Sequence, residues 1–275
     1  MEDLFGLGKI SDNGLEVIKT VYPDLLQPGF EKVGLALETV LDFSNTALMP
    51  VKLLNEKVKI NFGKRLYDYQ EKLNEYKEEQ VGSVPPEIGV PILDRLLITT
   101  NDELANLFVN LLVNASLVDH SKYAHPSFIN ILESLSADEA KIIDYIISNA
   151  EPIVFIRLGR KRLRDNGIID MTDNISNLDH LVDLHFKNNV GFYMDNLVKL
   201  GLLVPKDNYY MHMESRYEEL LVENKAVISA TKDGLNKINI EASKKGNHAE
   251  FYSVWGHFDK TDLCEIFLKS ITKKG

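Results

Sequence analysis

Apolar residues in the first half of the chain return every three or four positions, and polar residues of special backbone habit mark where each run starts and stops. Asn101 precedes Asp102-Glu103 and then Leu104, Leu107, Phe108, Leu111, Leu112 and Ala115, a spacing that puts one apolar stripe on a helix behind a side-chain N-cap. His125-Pro126 opens a second helix through Phe128, Ile129 and Leu132, since proline is tolerated at a first helical position. Ser136-x-x-Glu139 opens a third with the reciprocal bonding of a capping box. Upstream, Leu54, Val58, Phe62, Leu66, Tyr69, Leu73 and Tyr76 step by four or three, so Val51 to Glu79 reads as one long amphipathic helix. Lys52 with Glu56, Lys64 with Asp68 and Asp68 with Lys72 set opposite charges four apart along it, and only Glu71 with Glu75 repels. Gly82-Ser83-Val84-Pro85-Pro86 breaks the pattern and is the candidate hinge behind this arm.

Ahead of the arm, residues 1–27 read as a short amphipathic lead-in ending at Pro23. Pro28 to Met49 is far more apolar, and its 22 residues approach the length of a membrane span. Glu31, Lys32, Glu38 and Asp42 inside it are costly in hydrocarbon, so the expectation is a buried or partner-covered helix, with a conditional membrane-inserting segment as the other reading.

After Ser148 the pattern changes. Pro152-Ile153-Val154-Phe155-Ile156 is a short β-branched run, followed by helix-like stretches at 177–186 and 190–201. Leu202 to Val204, Tyr209 to Met211 and Ala226 to Ala230 read as strands, and Thr231 to Gly234 as the start of a further helix. Helix, strand, two helices and a strand pair resemble a winged-helix module, with Asn196 to Leu203 as its second helix running into the wing and Ile228 to Gly234 as its closing strand. The expected fold is mainly α: an N-terminal helical arm over 1–82 with the apolar segment 28–50, a central helical module over 83–135, and a winged-helix-like α+β part over 136–275.

The ordered series Pro91 to Leu97, Asp102 to Ala115, His125-Pro126-Ser127-Phe128 and Leu135-Ser136-Ala137-Asp138-Glu139-Ala140 resembles the abortive-infection alpha (Abi-alpha) family of bacterial proteins. The resemblance implies a place in defence against phage by abortive infection. It brings no established activity and no catalytic residues with it.

Composition narrows the chemistry further. A chain of 275 residues with 44% hydrophobic content can bury a sizeable core. The single cysteine, Cys264, fits a reducing compartment and reads as a small buried hydrophobe, and the acidic start Met1-Glu2-Asp3 has no secretory n-region, so the expected location is the cytoplasm. The net charge of −10 lies wholly in the first half: residues 1–150 hold 13 Lys and Arg against 23 Asp and Glu, whereas residues 151–275 hold 18 of each. Only the second half can present a basic face.

That half contains the densest cationic cluster, Arg157, Arg160, Lys161, Arg162 and Arg164, five cations in eight residues. It is the candidate surface for an anionic partner, or else a solvated face that pairs with the acidic first half of its own chain. Asn188, Asn189, Tyr193, Asn196 and Lys199 lie along the expected recognition helix, but Asp195 sits among them and the helix offers little charge to hold a phosphate backbone. Asp179-His180-x-x-Asp183-x-His185 lacks the i, i+4 histidine pair of a zinc helix, and His125 suits a cap. The chain carries no GxxxxGK[ST] loop, no Gly-x-Ser-x-Gly elbow and no complete GxGxxG; Gly6-Leu7-Gly8-Lys9 lacks the spacing. The expectation is a non-enzymatic protein without cofactor or metal, working through a protein partner or self-association. A winged-helix nucleic-acid regulator is the alternative, and a membrane enters only conditionally.

Overall fold

The computed structural model describes residues 31–44, 56–243 and 248–272. The lead-in 1–27, the Gly6-to-Lys9 stretch and both ends of the apolar segment 28–50 therefore lie outside the described residues. Eleven α-helices and one four-stranded antiparallel sheet make the described chain mainly helical. They form two compact units, Met1–Ala140 with Ile266–Gly275 and Lys141–Glu265.

The first unit is helical. Its helices are α1 (Glu31–Ser44), α2 (Glu56–Asn74), α3 (Pro86–Ile98), α4 (Asp102–Ser116) and α5 (Pro126–Glu133), with the start of α6 (Ala137–Ser148) and the end of α11 (Asp262–Ile271). α4 is buried on nearly every side, from Ala105 to Ser116, because α2, α3 and α5 all pack on it. A helix apolar all round belongs at the centre of such a unit. Its N-cap is as the sequence indicates, with Leu104 N–H donating to Asn101 Oδ1 at 2.8 Å. His125 caps α5 by accepting from Ser127 N–H at 3.1 Å, and Ser136 and Glu139 exchange both bonds of the capping box at 2.7 and 3.3 Å.

Several polar groups inside this core are matched to partners, although Arg65 Nε and Gln70 Oε1 are buried without one among the described residues. Asn114 donates to the carbonyls of Ser270 and Thr272 at 3.0 and 3.2 Å, satisfying acceptors at the C-terminal end of α11 that the helix cannot serve itself. Tyr69 shares a 2.5 Å bond with Ser116, and burial raises its phenol far above the ordinary value. Val33, Ala36, Leu37 and Val40 form the buried stripe of α1, and Gly89 of α3 lets Val40 approach closer than a side chain there would permit. The described part of the apolar segment is thus a core helix. Among the described residues no helix is long and apolar enough to cross a membrane.

Two expectations change in this unit. The long helix ends at Asn74, and residues 78–80 form a separate 3₁₀ turn. Lys64 bonds Asp102 at 3.2 Å, reaching another helix, and buried Arg65 reaches the same carboxylate at 2.5 Å. The GSVPP break is tethered: Val84 N–H donates to Ala36 O at 2.8 Å, Thr39 Oγ1 to Val84 O at 3.0 Å, and Gly82 N–H to Ser116 O at 2.7 Å.

The second unit is built on β1 (Ile153–Arg162), β2 (Ile168–Asp170), β3 (Leu203–Lys206) and β4 (Ala249–Lys260), ordered β2-β1-β4-β3 and antiparallel throughout. β1 and β4 pair over ten residues, from Ile153 opposite Phe258 to Arg162 opposite Ala249. Side chains alternate across the pleat, so Val154, Ile156 and Leu158 share one face, where Met213, Tyr217 and Leu220 cover them. These last residues belong to the 3₁₀ turn Met211–Met213 and to α9 (Glu214–Glu223). α10 (Lys225–Ser243) adds Ile228 to the same cluster. On the opposite face the rings of Phe155 and Phe258 lie 4.9 Å apart. Between β2 and β3 run a single turn, α7 (Leu178–Leu181), and α8 (Val190–Lys199), which packs beside β3.

The sequence expectations need more correction here. Ala226 to Ala230, expected as a closing strand, lies inside α10, where Ile228 and Leu235 face inward seven residues apart; a short apolar run cannot by itself distinguish helix from strand. β4, some twenty residues later, closes the sheet. Tyr209 to Met211 is not a strand. The stretch 177–186 is helical only to Leu181, because Val182 and Leu184 are buried while Asp183 and His185 are exposed, an alternation of period two. β1 extends six residues beyond Ile156, carried by its pairing with β4.

Two outcomes follow. A Cβ at Gly256 would overlap the Lys206 carbonyl oxygen and the Phe155 ring, so Gly256→Ala should cost about 1–3 kcal/mol in urea unfolding of the whole chain. The Asp102 carboxyl is held below its ordinary value of 3.8, first by the Arg65 hydrogen bond and then by Lys64. A depressed folded value means that its contribution is full above 3.8 and lost as pH falls through and below that point. Asp102→Asn should therefore melt below the wild type at neutral pH, with the gap closing in acid, as thermal melts across pH would record.

Candidate functional site

The cationic cluster lies on the second half of β1 and the turn into β2. Because the pleat alternates, the five cations are divided. Arg157 and Lys161 point to the Phe155 face, Arg160 and Arg162 to the face of Val154, Ile156 and Leu158, and Arg164 lies in the turn.

Their commitments differ as much as their directions. Arg157 is largely buried against the sheet, and its guanidinium meets Asp207 at 2.5 Å, Asp170 at 3.2 Å and Asn174 Oδ1 at 3.0 Å. Its Nε lies within ion-pair distance of Asp170 without hydrogen-bond alignment. Arg162 pairs with Asp165 at 3.0 Å. That pair braces a turn in which Asn166 takes a left-handed φ of 57° and Gly167 N–H donates to Asp165 Oδ1 at 2.9 Å. All of these acids come from the second half of the chain, not the acidic first half. Among the described residues Arg160, Lys161 and Arg164 make no ion pair. Lys161 stands opposite Glu250 in the ladder, and Arg160 stands opposite Phe251, whose ring lies 5.1 Å from Lys232 Nζ.

The same hairpin exposes apolar surface. Leu163 and Ile168 are about half exposed, and Ile169 more than a third. Apolar side chains among uncommitted cations make the hairpin an amphipathic knob.

The remaining candidates do not assemble into a reactive site. His180 pairs with Asp179 at 3.4 Å, the Asp183 carbonyl accepts from Lys141 at 2.7 Å, and His185 lies 3.3 Å from that ammonium; α7 ends before Asp183, so the three share no helix face. Tyr193 is buried in α8, whose outward positions are Phe192, Asp195 and Lys199. Cys264 is fully buried, and burial pushes its thiol up to about 11. Among the described residues no three His, Cys, Asp or Glu side chains group as a metal site.

The sequence reading missed an aromatic cluster at the end of the sheet. Tyr209 stacks on Tyr217 at 4.8 Å, and Trp255 meets both rings edge-on. Beside it buried His257 lies between Asn208 O at 3.3 Å and Asp259 at 3.2 Å, with the Tyr210 ring 5.1 Å away. The density of rings in one short run, Phe251, Tyr252, Trp255 and Phe258, was the available signal. Tyr217 is buried and its hydroxyl donates to Gly256 O at 3.1 Å, whereas Tyr209 and Tyr210 stay exposed, so the cluster caps the core at this end of the sheet.

The architecture defines a mainly helical protein with a small antiparallel sheet and an amphipathic basic hairpin. The abortive infection alpha family matches residues 55–258, about three quarters of the chain and material from both units, and the chain belongs to that family. Membership suggests a part in abortive-infection defence. No curated protein and no solved structure matches it.

The two kinds of arginine should separate in unfolding experiments. Arg157→Met strands Asp170, Asp207 and Asn174 and should lower stability clearly in urea melts. Arg164→Ser should stay within about 0.5 kcal/mol of the wild type, as an exposed side chain without partners does.

Proposed function

We propose that the protein is a cytosolic, non-enzymatic component of abortive-infection defence against phage that acts by binding another protein. The observation that carries this reading is the family match across residues 55–258. The state of the reactive residue types supports the non-enzymatic part: the buried thiol of Cys264 stays protonated at neutral pH, His125 caps a helix, and His257 is held inside the sheet.

A winged-helix reading of the second unit is supported by the order α6, β1, β2, α7, α8, β3 and, after two further helices, β4, with β4 between β1 and β3 in the sheet. The wing position, between β3 and β4, is taken by α9 and α10. On α8, in the place of a recognition helix, the outward side chains are Phe192, Asp195 and Lys199, which favours protein over phosphate. The nucleic-acid alternative rests on Arg160, Lys161 and Arg164. Three cations release about three counterions, against the roughly 6–10 phosphate contacts of a strongly salt-dependent DNA binder. Conditional membrane association would require α1 to leave a core that buries Val33, Ala36, Leu37 and Val40.

Phage challenge tests the reading. Cells carrying the gene should give a lower phage yield than cells without it, and Phe192→Glu should remove that difference while the purified variant keeps its helical circular dichroism. Equal yields with and without the gene would sink the defence role. Salt-sensitive binding of mixed duplex DNA by the purified protein would move the reading to the alternative.

A further inference from the structure

We infer that the β1–β2 hairpin docks a second copy of this chain, taking hold of the acidic C-terminal end of its α2 and the turn after it. The inference deepens the protein-binding reading by naming the partner. Three observations carry it. The hairpin offers Arg160, Lys161 and Arg164 without ion pairs among the described residues, and exposed Ile169 lies opposite Arg160, Ile168 opposite Lys161 and Leu163 beside Arg164, so a partner that grips the hairpin should combine negative charge with apolar surface. Residues 66–80 hold Asp68, Glu71, Glu75, Glu78 and Glu79 against Lys72 and Lys77, so the end of α2 and the turn after it are net acidic although α2 as a whole is not. The C-terminal half of α2 and the turn after it supply the complementary combination. Tyr67 is 55% exposed, Glu71 stands four positions on along the same helix face, and Glu78 is exposed beyond the helix end.

Charge sign and apolar content both match, and neither alone would choose the occupant. A nucleic acid would answer the cations but not Leu163 and Ile168. A hairpin that meets α2 of another copy makes a heterologous contact, because the two patches differ, so association should continue past a dimer into rings or open chains.

Sedimentation velocity on the full chain tests this. The wild type should form a concentration-dependent series of species at about 0.05 M salt, weakened about tenfold or more at about 0.5 M, where the Debye length is roughly 4 Å. Two variants, R160E/K161E/R164E on the hairpin and Y67A/E71K/E78K on α2, should each sediment as a monomer with unchanged circular dichroism. Mixed in equal amounts, they should form a dimer and nothing larger, since each retains one of the two patches. That capped dimer is the signature of this interface, and a merely misfolded variant could not produce it. A wild type that remains a monomer throughout, variants that still associate, or a mixture without the dimer would overturn the inference. A monomeric wild type that still lowers phage yield would refute this docking and leave the defence role intact; a self-associating chain without effect on yield would do the reverse.

Discussion

The ten-residue pairing of β1 with β4 is the constraint on which the second unit depends. It joins Ile153 to Phe258 and Arg162 to Ala249, so everything between the two strands is an excursion that must leave and rejoin one ladder. Loop-closure entropy rises only slowly with length, so a long excursion is tolerable provided that it covers the sheet. α9 and α10 do so on the Val154 face, where Tyr217 and Leu220 close over Ile156 and Leu158. On the other face Gly256 makes room for Phe155, and Arg157 crosses the strands to Asp207.

The same pairing shapes the candidate surface. Five cations that are consecutive or nearly so in sequence would form one patch on a loop. On a strand the pleat sends them two ways, and the acids of neighbouring segments claim Arg157 and Arg162. What remains is a smaller and more mixed surface than the sequence suggests, with Lys161 and Ile168 on one face, Arg160 and Ile169 on the other, and Leu163 and Arg164 in the turn. Exposed ion pairs formed by such residues are worth little individually, so a contact made here would need its apolar part as well.

The first unit follows a different logic. α4 is buried over most of its surface, with Asn106 left exposed, and the caps at Asn101, His125 and Ser136 with Glu139 fix where it and its neighbours begin. Each of these signals acts within four residues, which is why they were legible in the sequence. Less legible was the use of the charges on α2. Lys64 has Asp68 one turn away and instead reaches Asp102, since tertiary packing brings that carboxylate within 3.2 Å and adds buried Arg65 to it.

The chain by itself determined the helices of the first unit among the described residues, the family series from Pro91 to Ala140 and the positions of the caps. These rest on spacings of three and four residues and on side chains that satisfy nearby backbone groups. Tertiary structure decided the rest. Ala226 to Ala230 became helix because Ile228 and Leu235 found a sheet to lie on. The cations of β1 were divided because a strand beginning at Ala249, far along the chain, fixed their register. Local pattern can specify an element that stabilises itself, but the faces of a strand have no meaning until a distant partner pairs with it.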